Sequence, residues 1–306
     1  MTWLPSRLPA QNGRTFVVTG GNAGLGYFTA EQLASTGAHV VIASRDGGRA
    51  ERALRSIRAR VSAASVESIE LDLTDSASIA RAAERIGEMP RLDGLVLNAG
   101  TTAGSTTRQT TAEGHELTLA TNFLGHFALT ASVWAALAAT EGSRVVGLGS
   151  LSTLLVSAEL DDLQTERGFS FFRAYGRSKH AIHGFVLELD RRAREAGVDV
   201  TGVLAHPGYA IDGLSPERPG ISGYGSLQRA GSAVIAFGTQ GKNRGAAPTV
   251  RALLDTTVRG GELIGPAYLT RGRPTRQLPV SSSADPEFGA VLWGLAEEWT
   301  GVPFGL

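Results

Sequence analysis

Thr15-Phe16-Val17-Val18-Thr19-Gly20-Gly21-Asn22-Ala23-Gly24-Leu25-Gly26 is a short apolar run that breaks into glycines and then enters a helical pattern lasting to Leu33. Strand, glycine turn and helix in that order let the backbone approach a pyrophosphate, whose charge then rests on the helix N-terminus. The spacing Gly20, Gly24, Gly26 is not the G-x-G-x-x-G of the common dinucleotide fingerprint. Glycine-rich turns also join strands to helices where nothing binds, so this stretch decides the fold class before it decides a ligand.

Working outward, strand patterns recur at residues 39–44, 66–71, 92–98, 144–150 and 198–204, and helical patterns separate them at 48–61, 76–88 and 175–196. A short edge strand over 267–269 and helices over 246–258 and 286–299 complete the chain. This alternation predicts an α/β protein with right-handed crossovers: one Rossmann-like, doubly wound parallel sheet of about seven strands with helices on both faces. We find no internal repeat or linker, and read residues 1–306 as one domain. The stretch 208–245 is rich in Gly, Pro and Ser and reads as a substrate lid, because loops at the carboxyl ends of parallel strands build the site. Its cluster Gly220, Gly223, Gly225 follows no strand and is not read as a second phosphate loop.

The second run ends in Arg45. An acidic residue there would hold the adenosine ribose hydroxyls, whereas an arginine pairs with a 2′-phosphate, so the reading is NADP over NAD, with Arg49 a further phosphate contact and Asp46 keeping the other choice open. Asp72, leaving the third run ahead of Leu73, suits either an adenine contact or a plain turn. Ala174-Tyr175-Gly176-Arg177-Ser178-Lys179 places Tyr175 and Lys179 on one helix face, ~6 Å apart along the axis. Bringing a phenol of pKa about 10 toward neutrality takes ~4 kcal/mol, about what one ammonium supplies at ~4 Å with an effective dielectric of ~20. The pair reads as a tuned acid/base.

Composition removes several alternatives. Hydrophobic residues make up 42% and charged ones 19% of the 306, as in soluble globular proteins. Basic and acidic residues balance at 29 each with no like-charge run, which points away from nucleic acid and from anionic membranes as partners. Without cysteine there is no disulfide, thiolate nucleophile or Cys-based metal site, and the six histidines lack metal-ligand spacing, so no metal is expected. Met1-Thr2-Trp3-Leu4-Pro5 carries no signal-peptide pattern, and a cytoplasmic location is the expectation. Residues 117–140 contain no Asp, Glu, Lys or Arg, but Thr118, Thr121, Asn122, His126, Thr130 and Ser132 interrupt them; we read one long helix buried on the sheet, not a membrane span. Ser150 lacks a G-x-S-x-G elbow, which argues against a hydrolase nucleophile.

Taken together, Thr19 to Gly26, Asn98-Ala99-Gly100 and Tyr175 to Lys179 resemble the TGxxxGxG, NAG and YxxxK motifs of the short-chain dehydrogenase/reductase superfamily, over nearly the whole chain. Thr121-Asn122-Phe123-Leu124-Gly125-His126-Phe127, His206-Pro207-Gly208-Tyr209 and the closing Glu298-Trp299-Thr300-Gly301-Val302 resemble its retinol-dehydrogenase-like branch, which includes many bacterial oxidoreductases. The resemblance implies a catalytic tetrad of Asn122, Ser150, Tyr175 and Lys179. It also implies an NADP site formed by Gly20, Asn22, Ala23, Gly24, Leu25, Gly26, Arg45, Asp72, Leu73, Asn98, Ala99, Gly100, Tyr175, Lys179, Pro207 and Gly208. Hydride would pass between nicotinamide C4 and a carbonyl or alcohol carbon, with Tyr175 as general acid in reduction. Ser150 would hold the substrate oxygen, Lys179 would lower the phenol pKa and bind ribose, and Asn122 would hold a relaying water.

Where many members carry a threonine after Pro207-Gly208, this chain has Asp212 or Ile211. The run Leu151-Ser152-Thr153-Leu154-Leu155-Val156 after Ser150 suggests a hydrophobic small-molecule substrate. Reduction of a C=C or C=N bond, or a non-catalytic NADP-binding regulator, are the other readings. Pairing through the Tyr175 helix and its uncharged predecessor, as homodimer or homotetramer, fits the same pattern as burial within one subunit.

Overall fold

The computed structural model describes residues 7–101, 105–221, 229, 231–232 and 236–306. In chain order the first half comprises β1 (Thr15–Thr19), α1 (Gly24–Ala34), β2 (His39–Ser44), α2 (Gly47–Arg58), β3 (Ser65–Glu70), α3 (Ser76–Gly87) and β4 (Gly94–Leu97). A broken helical segment follows: α4 (Leu117–Leu119), a π-helical turn over Ala120–Leu124, α5 (Gly125–Ser132) and α6 (Trp134–Ala138). Then come β5 (Ser143–Leu148), α7 (Phe171–Glu195), β6 (Val200–Ala205), β7 (Ala210–Ile211), β8 (Gln240–Gly241), α8 (Lys242–Gly245) and α9 (Ala247–Leu254). β9 (Leu263–Pro266), β10 (Pro274–Gln277), α10 (Ser281–Ala284) and α11 (Pro286–Thr300) close the chain.

The main sheet runs β10-β9-β6-β5-β4-β1-β2-β3. Seven strands are parallel, as the alternation of runs predicts, and β10 adds an eighth, antiparallel to β9 (Gln277 opposite Leu263). The strand expected over 267–269 is instead the turn between these two, in which the Leu269 amide bonds the Pro266 carbonyl at 2.9 Å. Both flanking strands contain proline, which hides them from propensity.

Two apolar layers cover the sheet. Tyr27, Phe28, Leu33, Leu54 and Ile57 of α1 and α2, with Val250 and Leu253 of α9, pack on one face. Ile79 and Ile86 of α3, Phe127 of α5, Ile182, Phe185 and Leu189 of α7, and Trp293 of α11 pack on the other. After β3 the chain returns to the other side of β1, so the carboxyl ends of β1 and β4 diverge into the crevice where doubly wound sheets hold ligands.

The single helix read over 117–140 is broken. A Cβ on Gly125 would lie 2.1 Å from the Leu73 carbonyl, so the segment presses on the β3–α3 connection. The Asn122 carbonyl is taken by the His126 ring at 3.0 Å. Among the described residues no helix is long and apolar enough to cross a membrane. Gly223 and Gly225 lie outside the described residues, as do residues 1–6. What is described of 208–245 is tied down at both ends, where β7 pairs with β8 in a separate two-stranded sheet.

Candidate active site

Ser170 caps α7 by accepting the Arg173 amide at 3.3 Å, and the apolar stripe from Ala181 to Leu189 lays the helix on the sheet. Gly147 permits the approach, since a Cβ there would come 2.8 Å from Val186. This seating brings Tyr175 and Lys179 to the carboxyl end of β5, where Ser150 leaves the strand. The Ser150 hydroxyl faces the Tyr175 phenol and favours its ionised form. Lys179 Nζ donates to the Leu148 carbonyl at 2.9 Å and lies 5.7 Å from the Tyr175 ring centre. Burial holds the ammonium down, at a pKa of about 8.

The phenol departs from the sequence reading. Burial raises it above its ordinary value and the Ser150 hydroxyl pulls it back only in part. Lys179 does not supply the expected lowering: its ammonium faces the Leu148 carbonyl, and desolvation of the ring sets the direction.

Asn122, on the π-helical turn, is buried: its Nδ2 donates to Ser178 Oγ at 2.9 Å and its Oδ1 accepts the Thr101 amide at 3.0 Å. Ser178 Oγ in turn donates to the Tyr175 carbonyl at 2.8 Å. The turn therefore grips the tyrosine's own stretch of backbone. Asn98 and Ala99 interlock with the glycine loop: both amides donate to Thr19 Oγ1 at 2.9 Å, and Asn98 Nδ2 donates to the Thr19 carbonyl at 2.7 Å. Gly100 abuts Asn122, whose Oδ1 would be 2.9 Å from an added Cβ.

On the cofactor side, α1 begins without a side-chain cap from Ala23 and without an acid in its first turn. Gly24, at φ +56°, has no side chain to fill the space in front of that positive end. Such an uncapped N-terminus beside a strand switch fits a diphosphate, and Gly20, Asn22, Ala23 and Gly24 would hold it. Gly26 allows α1 to close on the loop, since a Cβ would lie 2.4 Å from the Gly20 carbonyl. Leu25 turns away, against Gly245 of α8. Arg45 and Asp72, read separately from sequence, come together at 3.6 Å. Asp72 also accepts the Thr74 amide and hydroxyl at 2.9 and 2.7 Å, so it is a turn former and Arg45's partner at once. The Leu73 side chain is buried in the core beside Gly125. Gly208, at φ +67°, closes on the Thr270 carbonyl, and the Pro207 carbonyl accepts Gln240 Nε2 at 2.7 Å.

A sequence model of the short chain dehydrogenase family matches residues 14–210. The chain belongs to the short-chain dehydrogenase family. It falls in the retinol-dehydrogenase-like branch of that superfamily, and it is 39% identical to mouse polyprenol dehydrogenase over 211 residues, 67% of this chain and 62% of that one. It is 38% identical to human retinol dehydrogenase 13 over 213 residues, 69% of this chain and 63% of that one. The match thus spans less than two thirds of either relative. The crystal structure of an uncharacterized protein from Mycobacterium paratuberculosis superposes over 100% of both chains with a TM-score of 0.81 at 32% identity.

Three residues of this dehydrogenase escaped the sequence reading. Arg177, inside the Tyr175 to Lys179 motif, is fully buried, bonds Asp162 Oδ2 at 2.7 Å and pairs with Glu159, pinning the chain that follows Ser150. His126 receives or gives a bond to Thr19 Oγ1 at 2.9 Å; with Nδ1–H donating to the Asn122 carbonyl, Nε2 is the acceptor. Burial lowers its pKa to about 4, so the ring is neutral. Lys242 pairs with Asp212 at 2.6 Å, which fills the place of the expected threonine with an ion-paired carboxylate. The scarcity of lysine, two in the chain, was the available signal for Lys242.

Proposed function

We propose that this dehydrogenase is an NADP(H)-dependent carbonyl reductase or alcohol dehydrogenase acting on a hydrophobic small molecule in the cytoplasm. The observation that carries the reading is the convergence of the Ser150 hydroxyl and the Tyr175 phenol at the end of β5, with Lys179 one helical turn on. When bound, the nicotinamide would supply or accept the hydride. Ser150 would orient the substrate oxygen, and Tyr175 would donate a proton to it in reduction and take one in oxidation. Asn122 and Ser178 hold the tyrosine's backbone in place, and Lys179 holds a positive charge at the floor of the site.

Arg45 supports NADP. Its guanidinium is exposed at the end of β2, whereas the competing acid, Asp46, is committed to α2, where it accepts the Arg49 amide at 2.9 Å and pairs with the Arg49 guanidinium at 3.3 Å. Leu154, Leu155, Phe172 and Tyr209, all near Ser150, Tyr175 or Gly208 in sequence, are exposed and support an apolar substrate. The relatives named for polyprenol and retinol lend the same support. The test is to titrate NADPH and NADH by fluorescence and then assay a panel of hydrophobic ketones, aldehydes and alcohols. Tighter binding of NADPH with turnover in the panel is expected; tight binding without any turnover would sink the enzymatic reading.

A further inference from the structure

We propose that Lys242 is a ligand of the cofactor diphosphate, and that its pair with Asp212 is a clasp tying the β7–β8 pair to the bound dinucleotide. This rests on the dinucleotide reading above.

The geometry is local and convergent. A Cβ built on Gly24 would lie 3.3 Å from Lys242 Nζ and 3.6 Å from its Cδ, so the side chain lies across the first residue of α1. The amides there have no capping side chain, and no acid neutralises the helix end. An ammonium and a helix N-terminus side by side are two like poles, opposed by a single carboxylate, Asp212, at 2.6 Å. A diphosphate resting on Gly24 meets both poles. Asp212 would share the ammonium with it, and as a like charge would oppose it.

The Lys242 backbone does not depend on that ion pair. Its amide donates to Ser215 Oγ at 2.8 Å, Gln240 bonds the Pro207 carbonyl, and Gln32 Nε2 of α1 donates to the Asn243 carbonyl at 2.8 Å. The residue is therefore delivered to the glycine loop by β8 and α8 whatever its side chain does. Glu31 of α1 and Arg218 form a second tie, paired through both oxygens at 2.6 and 2.7 Å.

A structural salt bridge and a phosphate ligand predict different results for the two partners. Lys242→Gln, Lys242→Arg and Asp212→Asn are compared with the parent by fluorescence titration of NADPH and NADH, with melting of the cofactor-free proteins as the fold control. A charged hydrogen bond lost from the diphosphate weakens binding by about tenfold or more, and equally for both cofactors because they share that group. Lys242→Arg should keep most of the affinity, and Asp212→Asn should bind at least as tightly as the parent. Unchanged affinities in Lys242→Gln, or an equal loss in Asp212→Asn, would overturn the assignment. Should Lys242→Gln fail to fold, Asp212→Asn decides alone by the same criterion. A parent that binds neither cofactor would instead remove the dinucleotide reading itself.

Discussion

Lys179 Nζ donates to the carbonyl of Leu148 at 2.9 Å, fastening the tyrosine helix to the last residue of β5, two positions before Ser150. Strand and helix thus share one buried cation, and its charge has a pH limit. Burial holds it at about 8, so the ammonium is charged below that pH and neutral above it, while the phenol, raised above its ordinary value, keeps its proton longer. We expect kcat/KM for reduction to be level below about pH 8 and to fall tenfold per unit above it. The profile is measured at constant ionic strength with a fixed ketone; a level profile to about pH 10 would show that the charge of Lys179 is not required.

Removing the phenolic hydroxyl alone separates proton transfer from binding. Tyr175→Phe should lower kcat by about 10²–10⁴, the usual worth of a general acid, with cofactor affinity nearly unchanged. Steady-state rates and a cofactor titration on the same preparation check this. Retained turnover would dismiss Tyr175 as the acid.

Arg45 faces outward with Asp72 at 3.6 Å, so reversing its charge places two acids at the ribose end. Arg45→Asp should weaken NADPH by about tenfold or more, the value of a charge-assisted bond, and leave NADH equal or tighter. Loss of both affinities together would place the 2′-phosphate elsewhere.

Two deeply buried rings contribute to the acid sensitivity. His126 is lowered to about 4 and His183 to about 3, in each case first by burial, and for His183 also by His180, Lys179 and His206. An unfolded histidine takes a proton near pH 6.5 and these do not, so stability is full above that pH and falls as acid is added, by on the order of 3–5 kcal/mol per ring. The melting temperature should drop between about pH 6.5 and 4. Among the described residues neither ring nitrogen of His183 has a hydrogen-bond partner, so His183→Phe should fold at neutral pH and show a shallower acid decline. An identical slope would assign the acid sensitivity to other groups.

The parallel order of the sheet was legible because β1, β2 and β4 are short apolar runs between helical periods, and Thr19 to Gly26 marks the first crossing. Ser150, Tyr175 and Lys179 were legible as motif residues, and α7 does bring them together. Their electrostatics were not, since desolvation depends on what covers the phenol and spacing along a helix says nothing of that. The π-helical turn at Asn122 was invisible because residues 117–140 carry no charged side chain, so a shift of helical phase leaves no mark in the pattern. Arg177 and Asp162, or Lys242 and Asp212, meet across 15 and 30 residues with no motif to join them. β9 and β10 were obscured by their glycine and prolines.

The pairing of β7 with β8 also bears on how relatives of this dehydrogenase can diverge. Ala210 opposite Gln240 and Ile211 opposite Gly241 close the segment between them at its base, beside Pro207 and the glycine loop. Doubling the length of a loop whose ends are held together costs only about 0.6 kcal/mol. Changes of length distal to that base can therefore accumulate in relatives without moving Ser150, Tyr175 or Lys179.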